Sequence, residues 1–500
     1  VSSVRLELVI DADEPTHQCL VGRIRNGLSP DESLRTTPWK SWTPEPGRSA
    51  DWDGRQPVVL LLAADRWLQA QSPGVPPPGD ALVLAELRDG SAQELCEATA
   101  AAALLRGDPA VRFGVCRFAG SQPGRLSCAV QFTMPGLTRW QEHQRRCLEA
   151  LADDLLWWLR LCQQRQQFLP IAPIRRPLPL LPAVPLHLRQ RLQVCRGGRF
   201  GSAWQRWQRR RSGPTADWQI AIGRLDRGAQ QLQLLHHLPP SGADWFADPF
   251  LVADGSRLWM FCERWHAAAG KGVIDLFEVR PDGLRACGSV IKEPFHLSFP
   301  RVLQHRGEWF ATVESSSVGE VRLYRAEAFP ARWRLERVLL RGDAWIDPIL
   351  LSNAEGCWLL VNAHHCSALP GYIASELQLF HSPDLLQGLF RSHPCSPVLV
   401  DSSCGRNGGL LNLDGCLIRV GQSMGFDGVY GESVQLRRVD RIDQNDYGET
   451  GIDMPWLQGL RQRLQARRLH TLNNVGPWVA VDYRPPQSAV PILSSGDMVG

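Results

Sequence analysis

The stretch Ala247-Asp248-Pro249-Phe250-Leu251-Val252, followed by Asp254-Gly255 and then Leu258-Trp259-Met260-Phe261, decides the fold because it returns. Ser298-Phe299-Pro300-Arg301-Val302-Leu303 leads to Arg306-Gly307 and Trp309-Phe310-Ala311. Ile346-Asp347-Pro348-Ile349-Leu350-Leu351 leads to Glu355-Gly356 and Trp358-Leu359-Leu360. Arg406-Asn407-Gly408-Gly409-Leu410-Leu411 leads to Asp414-Gly415 and Leu417-Ile418-Arg419. Each unit is an apolar strand, a glycine turn and a second strand, which is a hairpin pattern. Equivalent positions lie 51 residues apart from Pro249 to Pro300, then 48 to Pro348 and 60 to Gly408. Val273–Val279, Val321–Arg325, Glu376–His381 and Ser433–Arg438 alternate apolar and polar residues as third strands. Periods near 50 residues with several strands each are those of propeller blades. A fifth, weaker unit over His470–Tyr483 closes the ring, so residues 218–485 are expected to form an all-β five-bladed propeller, with 486–500 as a tail.

The preceding half has another rhythm. Val4–Ile10, Pro57–Ala64, Ala81–Leu87, Val111–Phe118 and Leu126–Met134 read as strands. His17–Leu28, the Ala-rich Ser91–Arg106 and Leu137–Phe168 read as helices, and Thr36–Arg55 as an irregular insertion. That alternation predicts an α/β N-terminal domain over residues 1–170 with a mostly parallel sheet. It carries no glycine-rich phosphate loop. His17 and His143, the only histidines before residue 170, read as surface or helix residues. Residues 171–217 read as a Pro/Arg-rich linker.

Composition bounds the function. The chain has 500 residues, 44% hydrophobic and 21% charged, which excludes a disordered protein. Its net charge of +4 rests on ten arginines without an acid between residues 171 and 213; the remainder carries −6. Basic character confined to one segment excludes a nucleic-acid-binding surface and leaves a stiff linker or a peripheral contact with an anionic membrane. The 14 cysteines contain no Cys-x-x-Cys pair, so no zinc ribbon or redox motif is expected. Charged residues at the start and no long apolar run lead to the expectation of a reduced, cytoplasmic protein without a membrane span.

The chemistry is expected where the blades converge. The repeat brings Asp248, Ser298, Asp347 and Arg406 to equivalent or near-equivalent places at the mouth of the central channel. Two carboxylates on one polar pocket suit glycoside chemistry, so Asp248 and Asp347 are the catalytic candidates. Glu314 and Glu263 end the runs Ala-Thr-Val-Glu and Met-Phe-Cys-Glu, placed at the far ends of inner strands. Glu314 is the third catalytic candidate. Glu263, His296, Arg406, Gln422 and Trp245 are candidate substrate contacts; Asn362 and His364 are further hydrogen-bond donors, and Trp265 and Trp345 further stacking rings. Asp-Pro at a strand entry is equally a turn device. His364-His365 does not make a metal set, and no cofactor is expected.

Trp245-Phe246-Ala247-Asp248-Pro249-Phe250, Phe261-Cys262-Glu263, Lys271-Gly272-Val273-Ile274, His296-Leu297-Ser298-Phe299-Pro300, Val313-Glu314-Ser315, Leu323-Tyr324-Arg325-Ala326, Trp345-Ile346-Asp347, Arg406-Asn407-Gly408-Gly409, Tyr447-Gly448-Glu449 and His470-Thr471-Leu472-Asn473 together carry a resemblance. Over residues 240–483 the chain resembles the propeller domain on the N-terminal side of plant glucosamine inositolphosphorylceramide transferases and its bacterial relatives. That domain in turn resembles the five-bladed propellers of arabinanases and fructosidases. The resemblance implies that Asp248 matches their first catalytic Asp and Asp347 the second, whereas their acid comes later in the chain than Glu314. A glycan or glycoconjugate is the expected ligand, acted on by a carbohydrate-active propeller; the absence of a good Glu after Asp347 and the lack of visible chemistry in the first half give the alternative of a non-catalytic glycan- or glycolipid-binding module for a partner glycosyltransferase. With about 17 residues after Tyr483, no transferase module is expected here. The bacterial relatives suggest a degenerate formyltransferase-like domain for residues 1–170, without the Asn, His and Asp that formyl transfer uses.

Overall fold

The computed structural model describes residues 4–43, 56–71, 82–88, 90–96, 101, 105, 110–118, 125–135, 140–166, 177–181, 187–192, 217–226, 228, 230–342, 344–363, 376–424 and 430–486. Among these, the N-terminal part is one mixed sheet. Its strands run in the order Ser33–Pro38, Arg5–Ile10, Val58–Leu61, Leu82–Arg88, Ser91–Glu94, Pro177–Leu181, Arg125–Pro135 and Ala110–Phe118. The first four pair in parallel. The rest pair antiparallel except for the contact of residues 92–93 with 180–181. The expected mostly parallel sheet is therefore parallel only at one side. Helices Pro15–Gly27 and Trp140–Arg165 cover it, burying Leu20, Ile24, Leu151, Leu155 and Trp158 in its core. Pro15 starts the first helix at the position where a missing N–H costs nothing, and Glu14 caps it by accepting from Thr16 N (3.3 Å).

Three local expectations change. Ser91–Glu94 is a strand rather than the start of an Ala-rich helix. Ala92 and Glu94 point inward, and pairing with Leu87 and Leu180 outweighs helix propensity. Ser33–Pro38, part of which fell in the supposed irregular insertion, is an edge strand. Pro177–Leu181, inside the supposed linker, belongs to the sheet. The rest of the Arg-rich segment, apart from residues 187–192, lies outside the described residues. Twelve of the cysteines are described, and none of these is in a disulfide. No helix among the described residues is long and apolar enough to cross a membrane.

The second part is a five-bladed propeller. Residues 245–291 form blade 1 and 298–341 blade 2, and the described residues within 345–400 form blade 3 and within 406–452 blade 4. Blade 5 takes its inner two strands, Arg468–Val475 and Trp478–Arg484, from the end of the segment. Its outer two, Gln219–Asp226 and Gln231–Leu238, come from the beginning. Antiparallel pairing of Trp478–Tyr483 with Arg224–Gln219 closes the ring.

Strand alternation explains why the ring holds. Along blade 1, Leu258, Met260 and Cys262 pack toward blade 5, while Trp259 and Phe261 pack toward blade 2. Period-2 side chains that are apolar on both faces give each blade two interfaces. Five apolar clusters result, one between each pair of neighbouring blades. Helix Pro455–Arg463 adds Trp456 and Leu460 to the cluster between blades 4 and 5. Val400, at the end of blade 3, joins the core of the N-terminal sheet.

Candidate functional site

All five inner strands break register near their start: at residues 248–249, 299–300, 347–348, 408 and 470–471. Asp248 (φ 50°), Phe299 (φ 47°) and Asp347 (φ 50°) adopt the left-handed backbone there, and Gly409 has φ 122°. A bulge with a left-handed residue turns one side chain out of the blade's plane, and such non-glycine conformations concentrate at functional sites. The structure thus puts Phe299, not Ser298, at the position equivalent to Asp248 and Asp347. His470 holds that position in blade 5.

Glu263 and Glu314 are on second strands, opposite Ala247 and Ser298. Because second strands run back, their ends return to the same mouth as the bulges. Three side chains there hold the next blade. Glu314 Oε2 accepts from Asp347 N (3.0 Å), Asn362 Oδ1 from Asn407 N (2.8 Å), and Asp482 Oδ2 from Asp248 N (2.8 Å). Glu314 Oε1 also accepts from the Ser316 hydroxyl (2.8 Å), so both of its oxygens are engaged.

The bulged aspartates have partners as well. Asp248 accepts from Phe299 N (3.1 Å) and the Thr471 hydroxyl (2.7 Å), and His470 Nε2 lies 3.6 Å away. Asp347 accepts from Arg406 Nε (2.5 Å), with Gln422 Nε2 at 3.5 Å. The Arg406 guanidinium lies 4.0 Å from the Tyr430 ring centre. His470 stacks between Tyr430 and Trp218, at 5.7 and 3.9 Å, and its Nδ1 is 2.7 Å from Asp482.

Burial sets the protonation. It raises Asp248 to about 6; His470 opposes this, and Asp482 and Asp347 reinforce it. It raises Asp347 to about 7 against the pull of Arg406, with Glu314 adding to the rise. Burial alone would lower His470, but Asp482 and Asp248 outweigh it and raise it. Burial, then the charges of Asp248, Glu314, Asp482 and Asp347, push Glu263 well above its ordinary value. Its Oε1 has no hydrogen-bond partner, and neither has Oε1 of the buried Gln422. His296 Nδ1 accepts from Gly272 N (2.8 Å), which directs its Nε2 toward Glu263 Oε1 at 3.7 Å. Residue 272 is glycine for want of room: a Cβ would meet the Leu297 carbonyl oxygen at 2.3 Å and Glu263 Oε1 at 2.6 Å.

Of the expected site residues, Asp248, Asp347, Glu314, Arg406 and Gln422 are brought together, with Glu263 and His296 beside them. Trp245 sits at the edge, half-buried and parallel to Trp265 (5.6 Å, 3°), and Trp265 is 5.9 Å from His296. His364 and His365 lie outside the described residues. The sequence reasoning gave no site role to His470, Asp482, Tyr430 or Trp218. Asp248, His470 and Asp482 place three potential ligand atoms within 4.8 Å of one another. Those atoms are already occupied by the imidazole lying between two carboxylates.

In the N-terminal sheet, His17 is buried rather than superficial. It accepts from Asp11 N (3.0 Å), contacts the Leu95 carbonyl (2.5 Å), and is lowered by burial to about 4. This ties the start of the helix to residue 95.

Five blades with bulged inner strands around an acid-rich centre define the class of the second part. Residues 238–481 match the family described as glucosamine inositolphosphorylceramide transferase 1, N-terminal. The Arabidopsis thaliana protein of that name is 30% identical over 263 residues, 52% of this chain and 32% of its own length. The Oryza sativa subsp. japonica protein is 30% identical over 254 residues, 48% of this chain and 33% of its own. The chain thus spans about a third of the length of these relatives. Among solved structures, an exo-β-1,3-galactanase from Phanerochaete chrysosporium has 12% identity and a TM-score of 0.38, covering 50% of this chain and 61% of its own. A family 117 glycoside hydrolase from Zobellia galactanivorans has 13% identity and a TM-score of 0.34, covering 54% and 90%. No residue is carried over from either. The family match leaves the N-terminal sheet untouched.

Proposed function

We propose that the propeller recognises a glycan or glycoconjugate at the mouth of its channel, in the service of glycosyl transfer onto a glycolipid-type acceptor by a partner glycosyltransferase. The observation that carries this reading is the pair of orphaned buried atoms, Glu263 Oε1 and Gln422 Oε1. Buried polar atoms are almost always satisfied, so two at one acid-rich centre call for a polar ligand. A sugar's hydroxyls, which both donate and accept, complement the unpartnered carboxyl oxygen of Glu263, an amide oxygen that accepts, and the remaining lone pairs of Asp248 and Asp347. The relatives' names agree with a carbohydrate ligand.

Binding to a panel of neutral, amino and inositol-containing oligosaccharides, measured by calorimetry, tests the proposal. At least one should bind, and Asp347→Asn and Gln422→Ala should each weaken it tenfold or more. A panel without a binder, or binding indifferent to both substitutions, removes the proposal.

A catalytic reading is favoured by one specific observation. Asp248, raised to about 6 and held by Phe299 N and the Thr471 hydroxyl, and Glu263, also raised by burial and with Oε1 left without a partner, are two carboxyls in unlike environments at one centre, the arrangement that separates a base from an acid. Glycoside turnover that disappears in Asp248→Asn would support it; turnover unchanged by that substitution would end it. A weaker element of the proposal is contact of the Arg-rich segment 171–213 with anionic membranes, tested by cosedimentation with phosphatidylserine vesicles at low and high salt.

A further inference from the structure

The residue pair just past the bulge is apolar in four blades: Phe250 opposite Phe261, Ile349 opposite Leu360, Gly409 opposite Val420, and Leu472 opposite Val481. In blade 2 the same pair is Arg301 opposite Thr312. Thr312 is fully buried, and its hydroxyl has no partner. Arg301 donates from Nη1 to the Val302 carbonyl (3.2 Å), while its buried Nε has no partner. No carboxylate among the described residues pairs with it. Among the described residues, the two buried arginines on the propeller's inner and second strands are compensated, Arg406 by Asp347 and Arg419 by Glu449. Burial draws Arg301 down to about 10, which still leaves it charged at neutral pH.

Arg301 is only partly buried, but its Nε is shut off from solvent without a partner and the guanidinium has no counter-charge, which is costly, and the other four blades have an apolar solution at this place. The Nε–Nη2 edge is the side that forms two parallel bonds with a carboxylate or phosphate, and it is the edge left free. A hydroxyl directly across the strand supplies a third donor. We propose that Arg301 and Thr312 form an oxyanion-binding site inside blade 2, taking a phosphate group as its ligand. Thr312 and Glu314 share a face of their strand, so this site lies one step along that face from the acid-rich centre.

The test uses the full chain and four probes at matched ionic strength: inorganic phosphate, glucose 6-phosphate, acetate and chloride. Thermal unfolding and calorimetry should show saturable stabilisation by phosphate and none by chloride. Arg301→Met should abolish that response and, by removing an uncompensated charge, raise Tm in phosphate-free buffer. Arg301→Lys, which keeps the charge but not the fork, should weaken phosphate binding at least tenfold, and Thr312→Val about threefold. Tighter binding of glucose 6-phosphate than of phosphate would assign the site to a sugar phosphate; equal binding would assign it to the free anion. Phosphate affinity unchanged in Arg301→Met, absence of saturable phosphate binding, or acetate binding more tightly than either phosphate would each overturn the proposal. None of these results depends on the sugar-binding reading.

Discussion

Asp482 is the side chain on which the centre leans most, and its removal is the sharpest test of the geometry. It is fully buried, and its two oxygens receive Asp248 N (2.8 Å), Thr471 N (2.7 Å) and His470 Nδ1 (2.7 Å). Asp482→Ala strands two backbone donors and deprives the imidazole of its nearest counter-charge. Each orphaned donor costs about 1–3 kcal/mol, and breaking a buried ion pair costs about 3–5 kcal/mol. These losses overlap, so the expected fall in unfolding free energy is roughly 4–6 kcal/mol. Urea unfolding followed by tryptophan fluorescence measures it, with the slope checked for constancy.

Asp482→Asn separates the terms. Its amide oxygen still accepts from the backbone, but the charge is gone. Its penalty should be largest below the ordinary histidine pKa of 6.5, because a raised histidine stabilises there and the benefit disappears as pH rises through its folded value. A loss under about 1.5 kcal/mol for Asp482→Ala, or an Asp482→Asn penalty independent of pH, refutes the argument.

Three further outcomes follow from the same contacts. Asp248 and Asp347, at about 6 and 7 against 3.8 in an unfolded chain, hold protons that the unfolded state has released. Stability should therefore fall as pH rises from about 4 to 7, by on the order of 3 kcal/mol per carboxyl, and pH-dependent urea midpoints should flatten in Asp248→Asn/Asp347→Asn. Gly272→Ala forces a methyl against the Leu297 carbonyl oxygen and Glu263. It should cost about 1–3 kcal/mol, read by thermal unfolding, and a neutral result would mean the strand yields freely. Trp358→Ala empties a fully buried position between blades 3 and 4. It should cost about 3–5 kcal/mol without altering glycan binding, since Trp358 touches none of the central acids.

What could be read from the residues follows the physics of each element. Inner and second strands of blades 1 to 4 were legible because each repeats a doubly apolar alternation and a glycine turn. The outer strands of blade 5, Gln219–Asp226 and Gln231–Leu238, were not, because they lie about 230 or more residues before the inner strands Arg468–Val475 and Trp478–Arg484 and no local pattern links them. His470 and Asp482 went unassigned for a related reason. Blade 5 has His-Thr where blades 1 and 3 have Asp-Pro, so the shared bulge was hidden by different side chains. Its signal was the register of the repeat rather than residue identity. Glu263 and Glu314 were found, but their difference was invisible: Ser316 and the Asp347 amide satisfy one, and nothing satisfies Oε1 of the other. Ser91–Glu94 misled because alanine content reports helix preference, whereas two flanking strand edges decided the outcome.

Ring closure by strands from both ends of the segment also governs what the propeller can carry. Gln219 and Tyr483 are partners in one hydrogen-bonded pair. A module attached ahead of the first and a module attached beyond the second therefore leave from the same blade, side by side. The barrel of blades acts as a bracket, fixing the spacing of its two attachments by a strand width of about 4.8 Å at the root rather than by linker length. Opening the chain elsewhere, for example in the turn at Asp254-Gly255, and joining the old ends would preserve all five interfaces while separating those attachments, which makes their proximity an adjustable variable.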